Sequence, residues 1–188
     1  MVDDQQPEFL IPPVRIDGPV ILADPDPEWP RQYRRQEVRI RDALGERVIQ
    51  VEHVGSTSVP GLAAKPIIDI VLVVADSSDE QAYAPGLEAA GFRLKLREPA
   101  WFEHRLFVDQ PTVQIHVFSV GVPEVEKMLS FRDRLRSCPG DRELYESTKR
   151  ALAAAQWSYV QDYANAKTAV VEEIVARARS GSSTRVAG

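Results

Sequence analysis

The sequence predicts an α/β fold built on one mixed sheet, followed by a helical C-terminal third. Apolar or alternating segments of strand length recur between residues 47 and 120. Helical periodicity precedes them over residues 30–44 and returns from Pro123 to about Ser180. With 188 residues, the chain is long enough for one domain with a sizeable core.

Each element follows from a local pattern. Trp29, Tyr33, Ile40 and Leu44 recur at near-helical spacing and predict the first helix. The predicted strands are residues 47–54, 66–74, 92–97, 104–109 and 112–120. The second of these is an almost continuous apolar run, which indicates a central strand covered on both faces. A short helix over residues 79–90 completes the sheet region.

The chain divides into three regions. Residues 1–19 are rich in proline and predict an irregular N-terminal arm. Residues 20–179 carry all the long periodic patterns and predict a single domain. Residues 180–188 are small and polar, and they predict a disordered tail.

Composition excludes several classes of protein. The net charge of −5 argues against a broad nucleic-acid surface. No apolar run approaches the roughly 20 residues that a membrane span needs, and the acidic N-terminus is unlike a signal peptide. Cys138 is the one cysteine, which excludes an internal disulfide and a cysteine-based zinc site. A cytoplasmic protein without membrane partners is therefore expected.

The turn after the first strand has the composition of an anion site. Its small and hydroxyl side chains, with one lysine downstream, predict contacts to phosphate from Gly55, Ser56, Thr57, Ser58 and Lys65. The turn matches neither a Walker A loop nor a G-x-G-x-x-G motif. A purely structural turn between two strands is the alternative.

Asp69 interrupts the apolar run of the central strand. An unpaired carboxylate in a dry core is costly, so Asp69 is expected to face a cleft, a cation or a hydrogen-bond donor. It is either a structural ion-pair partner inside the sheet or a metal ligand or acid–base group at a cleft beside the turn.

Several segments resemble the GrpB family of nucleotidyltransferase-like proteins. They include VEHVGSTSVPGLAAKPIIDIVLVV, QIHVF, FRDRLRS, YESTK and YVQDYANAK, and the resemblance runs from about Val20 to Ala178. It implies a nucleotidyltransferase-like mixed sheet with a C-terminal helical cap, a nucleoside triphosphate as substrate, and a divalent metal, Mg or Mn. GrpB-like domains also occur fused to a CoA-pathway kinase, which adds a CoA-like ligand as an alternative.

One departure from working nucleotidyltransferases concerns their carboxylates. They usually carry a second carboxylate two positions after the first, where this chain has Val71. On the later predicted strand, residues 112–120, the polar candidate for a metal ligand is His116. Side chains alternate along a strand, which places His116 on the same face as Gln114. A metal site would then consist of Asp69, His116 and Glu52, or His53 in place of Glu52. Such a site suits a transition metal better than magnesium.

Other candidates carry both a functional and a structural interpretation. His53 is a possible base or a structural histidine, and His104 is expected to be solvated. Substrate contacts are predicted for Arg105, Arg132, Arg136, Tyr145, Lys149 and Lys167. Alternatively, the arginines form ordinary salt bridges. The tyrosine would then pack in the core, and the lysines would extend along apolar surface to reach solvent.

The sequence thus predicts nucleotidyl transfer from a triphosphate to a small acceptor, with Asp69, His116 and His53 as catalytic candidates. The first alternative is a catalytically silent module that binds a nucleotide or a CoA-like ligand. The second is an enzyme that reuses the same cleft for other metal or acid–base chemistry.

Overall fold

The computed structural model describes residues 6–109 and 111–183. The strands are β1 (Glu8–Phe9), β2 (Arg15–Gly18), β3 (Gln50–Val54), β4 (Ile68–Val74), β5 (Arg93–Glu98), β6 (His104–Asp109), β7 (Val113–Ser119) and β8 (Trp157–Tyr159). The helices are α1 (Trp29–Leu44), α2 (Ala84–Ala89), α3 (Pro123–Ser137), α4 (Pro139–Ala153), α5 (Val160–Ala166) and α6 (Thr168–Ser183). Short 3-10 turns cover Gly45–Arg47, Ser56–Ser58 and Glu80–Ala82.

Six strands form one mixed sheet in the order β1-β5-β6-β7-β4-β3. The pair β4–β7 is parallel and lies inside the sheet, whereas its other neighbouring strands are antiparallel. A separate ribbon pairs β2 with β8. The mixed sheet with its helical C-terminal region confirms the α/β fold class predicted from the sequence.

The two faces of the sheet differ because successive side chains of a strand point to opposite sides. Ile68, Ile70 and Leu72 of β4 pack with α1 and α2 in the largest apolar cluster. Asp69 points to the other face. In register with it, β7 places Gln114 beside Asp69 and His116 two residues further on. One face therefore builds the largest part of the core, and the other carries Asp69, Gln114 and His116.

The helical C-terminal region packs on the loop that follows the turn at Gly55 and Ser56–Ser58. Leu135 of α3, Tyr145 of α4 and Ile174 of α6 form an apolar cluster with Val59 and Leu62 of that loop. This burial joins α3, α4 and α6 to the turn, so the helices cover the polar side of the sheet.

The structure differs from the expectations in detail. The N-terminal arm is not wholly irregular, because β1 adds to the sheet edge at β5 and β2 pairs with β8. Strand β8 also interrupts the helical C-terminal third. The expected helix over residues 79–90 is split into a 3-10 turn and the short α2, where Pro85 occupies the first helical turn.

Residues 180–188, which were expected to form a disordered tail, begin inside helix α6. Helix α6 continues to Ser183, and residues 184–188 lie outside the described residues. Within residues 6–109 and 111–183, every helix is too short or too polar to cross a bilayer.

Candidate functional site

A cavity of about 600 Å³ lies between the polar face of the sheet, the helical C-terminal region and the N-terminal arm. This volume is in the range of small-molecule sites. Asp69, Gln114 and His116 line it from the sheet, and Gly55, Ser56 and Thr57 line it from the turn. Side chains from distant parts of the sequence thus meet at the predicted turn and at Asp69.

Gly55 allows the turn to approach Asp69 closely. Its φ angle of 68° lies in the left-handed region that glycine adopts without strain. A Cβ atom at this position would lie 2.9 Å from the Cβ of Asp69 and would collide with the carboxylate. Any side chain at this position would therefore displace Asp69 as well as the turn.

Two of the three hydroxyl groups in the turn stabilise the turn itself. Thr57 donates from Oγ1 to the carbonyl of Ile67 at 2.8 Å, and Ser58 donates from Oγ to the carbonyl of Gly55 at 2.6 Å. Ser58 does not line the cavity. The third, Ser56, accepts a hydrogen bond from Nζ of Lys149 at 3.2 Å. This bond links the turn to α4.

Lysines supply the positive charge of the cavity. The chain has five lysines, and four of them line the cavity: Lys65, Lys95, Lys149 and Lys167. The chain also has 18 arginines, yet none within the described ranges lines it. A lysine presents one compact ammonium group, whereas arginine presents a planar fork. The cavity is therefore lined by point charges from four separate segments of the chain.

Burial perturbs these ammonium groups. Burial, together with repulsion from the nearby Lys167, lowers the pKa of Lys149 to about 7. It also lowers the pKa of Lys167 to about 8, where Lys65 adds repulsion and Asp69 opposes the shift. Burial likewise lowers the pKa of Lys65 and of Lys95. An anion bound in the cavity would raise the pKa of each lysine again, because an opposite charge favours the protonated form.

Two of these lysines lie over tyrosine rings, as their spacing of one helical turn predicts. Nζ of Lys149 lies 4.9 Å from the ring centre of Tyr145, and Nζ of Lys167 lies 4.6 Å from that of Tyr163. Tyr145 is buried behind the cavity, whereas Tyr163 lines it. The buried hydroxyl of Tyr163 has no hydrogen-bond partner within the described residues.

Asp69 and His116 face each other on the floor of the cavity. Oδ1 of Asp69 lies 3.9 Å from Nε2 of His116, a separation too long for a direct hydrogen bond. Both side chains keep access to the cavity, because Asp69 is 28% and His116 20% exposed. A small group bound between them could interact with both.

The residues do not fit a divalent ion held by the protein alone. Glu52, the predicted third ligand, accepts a hydrogen bond from Nη1 of Arg132 at 2.8 Å and does not line the cavity. Residues 6–109 and 111–183 hold no group of three or more His, Cys, Asp or Glu side chains suited to a metal. Asp69 and His116 by themselves are too few.

The structure places His53 on the opposite face of the sheet from Asp69. In β3 it follows Glu52 and precedes Val54, whose side chain shares the Asp69 face. The His53 ring stacks on Tyr33 at 4.8 Å, and its Nε2 lies 3.0 Å from Oγ1 of Thr57. Burial lowers its pKa to about 4. His53 supports the turn from behind and does not line the cavity.

The arginines expected to contact substrate lie outside the cavity. Arg105 alternates with its neighbours in β6, points to the α2 face, and donates from Nε to Glu80 at 2.6 Å. Arg136 donates from Nε and Nη2 to the carbonyl of Ser58 at 3.0 and 2.8 Å. Together with Arg132, these residues join parts of the fold, in agreement with the structural alternative.

Sequence reasoning missed Lys95 and misjudged His104. Lys95 lies at an irregularity in the β5–β6 register between Leu94 and Leu96, and such a bulge redirects a side chain. The expectation that His104 is solvated is wrong: it is 1% exposed and lies beside His116. The alternation of His104 with Leu106 in β6 was a signal that could have placed it on the cavity face.

The comparisons with known proteins agree on a family. The model of the family described as GrpB protein matches residues 19–177. A UPF0157 protein of Halalkalibacterium halodurans, BH1888, is 53% identical over 162 residues, which cover 86% of this chain and 83% of that protein. The resemblance drawn from the sequence motifs is thereby confirmed.

Solved structures and a larger relative extend the comparison. The crystal structure of GrpB from Enterococcus faecalis matches with a TM-score of 0.75 and 30% identity, covering 84% of this chain and 96% of that chain. The Cid1 poly(U) polymerase is weakly similar, with a TM-score of 0.45 and 14% identity over 68% of this chain and 45% of that one. A dephospho-CoA kinase of Mycolicibacterium paratuberculosis is 33% identical over 162 residues, 71% of this chain and 40% of the kinase.

Proposed function

The chain belongs to the GrpB family, and from the geometry of its cavity we propose that it binds a nucleoside triphosphate there and transfers the nucleotidyl group to a small acceptor. The observation that carries the proposal is the concentration of four of five lysines around one cavity in a chain of net charge −5. Among residues 6–109 and 111–183, one carboxylate, that of Asp69, and four lysine ammonium groups line the cavity. Its excess of positive charge suits a polyphosphate.

The rest of the cavity suits the nucleoside part of the ligand. Tyr163, Phe131 and Met128 line it, together with apolar side chains of the N-terminal arm such as Phe9 and Val14. Flat and apolar walls of this kind bind a base by stacking and by burial of its surface. The free hydroxyl of Tyr163 adds a polar contact that could orient the ligand.

Asp69 and His116 are the proposed acid–base pair. The acceptor would place a hydroxyl between them, within reach of both. As its oxygen bonds to the α-phosphorus, the bond from that phosphorus to the pyrophosphate leaving group breaks, and the hydroxyl proton passes to His116 or Asp69. The lysines would neutralise the charge that develops on the phosphates.

Magnesium or manganese enters the proposal only as the counter-ion that a nucleotide brings with it. The donor set does not fit a resident ion, since Glu52 is held by Arg132. No step is therefore assigned to a metal. The four ammonium groups would provide the positive charge that the phosphates require.

Calorimetry with the four common nucleoside triphosphates tests the binding step, in buffer with magnesium and in buffer with a chelator. Lys167→Met should weaken binding about tenfold or more, since it removes one ammonium contact. The matched control is Lys127→Met, because Lys127 lies on α3 beside Glu124 and away from the cavity. Absence of binding by the unmodified protein, or equal losses in both variants, would refute the proposal.

A triphosphate labelled at the α-phosphate tests the transfer step. Incubation with pooled small metabolites should move the label to a new compound and release pyrophosphate. Asp69→Asn should slow this transfer by about 100-fold or more while the nucleotide still binds.

A silent binding module is the second candidate function. It is favoured because Asp69 is the one carboxylate among the described residues that line the cavity, and because this chain is related to a segment of dephospho-CoA kinases. In that case CoA or a nucleotide would bind with the same dependence on Lys167, and no label would move. Titration with CoA beside the triphosphates separates the two candidates by ligand, and the label separates them by turnover.

A further inference from the structure

A row of four side chains runs from outside the cavity to its floor. Oε2 of Glu98 lies 2.8 Å from Nδ1 of His104, and Nε2 of His104 lies 3.1 Å from Nδ1 of His116. On its far side, Nε2 of His116 faces Oδ1 of Asp69 at 3.9 Å. Of these four residues, His116 and Asp69 line the cavity, whereas Glu98 and His104 lie behind it.

His104 is enclosed by aromatic rings. Trp101 meets it edge to face at 4.8 Å, Phe118 lies at 4.8 Å, and His116 stacks on it at 5.2 Å. This burial lowers the pKa of His104 to about 4, against the opposing effect of Glu98. The ring is therefore neutral near pH 7 and carries one proton.

The hydrogen bonds decide where each proton lies. An ionised carboxylate only accepts, so Nδ1 of His104 donates to Glu98 and Nε2 of the neutral ring must accept. The donor to Nε2 is then Nδ1 of His116. We infer that Glu98 and His104 are positioning residues that hold His116 as the Nδ1-protonated tautomer, with its Nε2 unprotonated towards the cavity.

This tautomer makes His116 suitable as a base. With the proton on Nε2 instead, the neutral ring would donate towards Asp69 and could not accept a proton from a ligand. With Nε2 bare, His116 and Asp69 present two acceptors 3.9 Å apart. A hydroxyl or an amine of the acceptor substrate, bound between them, would donate a hydrogen bond to one of these two acceptors. This last step deepens the proposed function and rests on it.

Nuclear magnetic resonance of the free protein tests the tautomer directly. The chain has three histidines, so isotope labelling of their ring nitrogens yields a spectrum that single substitutions can assign. At about pH 8, above the ordinary pKa of imidazole, His116 should show a protonated Nδ1 and a bare Nε2. A bare Nδ1 with a protonated Nε2 would overturn the inference, as would a rapid mixture of both forms.

Two variants of His104 test its role. His104→Phe removes the acceptor, so the Nδ1-protonated signal of His116 should be lost in favour of the other tautomer or a mixture. His104→Gln can place an amide oxygen near the former Nε2 and should preserve the signal. An unchanged tautomer in His104→Phe would overturn the role of His104. Should that variant fail to fold, the spectrum of the unmodified protein still decides the tautomer.

The readout separates this inference from the proposed function. The spectrum requires no nucleotide, whereas binding is measured by calorimetry. The predicted tautomer without nucleotide binding would leave the inference standing and refute the proposed function. The opposite tautomer with nucleotide binding intact would do the reverse.

Discussion

The ammonium group of Lys149 illustrates at the level of one residue how the cavity is prepared for an anion. The side chain is 1% exposed and donates to Ser56 and to the carbonyl of Ala63. These two contacts are with neutral oxygens, and burial lowers its pKa to about 7. An anion in the cavity would offset that burial, because an opposite charge favours the protonated form.

Nucleotide affinity should therefore fall as pH rises. The pKa values of Lys149 and Lys167 are lowered to about 7 and about 8 in the free protein, and a bound phosphate raises them. Above these values, binding must first take up protons, so affinity should drop severalfold between about pH 7 and about pH 9. Calorimetry in two buffers of different ionisation enthalpy should show proton uptake. Affinity that is flat or rises over this range would contradict the role of the lysines.

Asp69 has the opposite role at the same scale. It lines the cavity together with the lysines, and it opposes the effect of burial, which lowers the pKa of Lys65 and of Lys167. Asp69→Asn should leave triphosphate binding in metal-free buffer intact, because it removes a charge that repels phosphate. Transfer should fall by about 100-fold or more, the usual contribution of an acid–base group. The exposed Asp24→Asn is the control, and loss of binding in Asp69→Asn would contradict this division of roles.

Helix α3 holds the turn in place through its arginines, and these arginines do not line the cavity. Arg132 donates to Glu52 at 2.8 Å and to the carbonyl of His53 at 3.1 Å, which joins α3 to β3. Four residues later, Arg136 donates twice to the carbonyl of Ser58. The segment FRDRLR that supports the family resemblance thus binds protein backbone at the end of β3 and at the turn.

Arg136→Met should act on the turn and not on the ligand. The variant loses two charge-assisted hydrogen bonds to one carbonyl, which should cost about 1.5–3 kcal/mol in the free energy of unfolding. Nucleotide affinity should fall less than about tenfold, with its pH dependence unchanged. Arg150→Met, which removes an exposed pair with Glu146 on α4, is the control in urea denaturation. Complete loss of binding at full stability would instead indicate a ligand contact.

At the scale of the whole molecule, positive charge is concentrated at the cavity although the chain is acidic. The chain is acidic overall, yet four lysines face one cavity between the sheet and the helices. Keeping them together in the free protein costs stability, because like charges repel and buried ammonium groups lose hydration. Stability that is sacrificed at one location in this way is typical of a binding site.

The free energy of unfolding should consequently rise with pH in the free protein. Burial lowers the pKa of Lys149 to about 7 and that of Lys167 to about 8 in the folded state, below their ordinary value of 10.5. Between these values the unfolded chain binds more protons than the folded one, so raising the pH favours folding. Urea denaturation at about pH 7 and about pH 9 measures this gain. The double variant Lys149→Met, Lys167→Met should lose it, and an equal gain in the variant would exclude the lysines as its source.

Local patterns in the sequence already indicate part of the site. A turn with Gly55 followed by Asp69 in an apolar strand indicates a polar location on the sheet, and the period of two places His116 on one face of β7 with Gln114. The spacing of Tyr163 and Lys167 by one helical turn correctly predicts that ring and amine meet. These features depend on neighbours within a few residues, and for this reason they can be read without the fold.

The sequence by itself determined the family, the α/β class and the position of the turn beside Asp69. Only the tertiary structure decided which of the other charged residues reach the cavity. In the sequence, Lys95 looks like any solvated lysine, and Arg132 looks as suitable for phosphate as Lys149 or Lys167 does. The distinction arises from strand pairing, from the bulge at Lys95 and from the docking of the C-terminal helices on the turn. These contacts join residues far apart in the chain, and no local period encodes them.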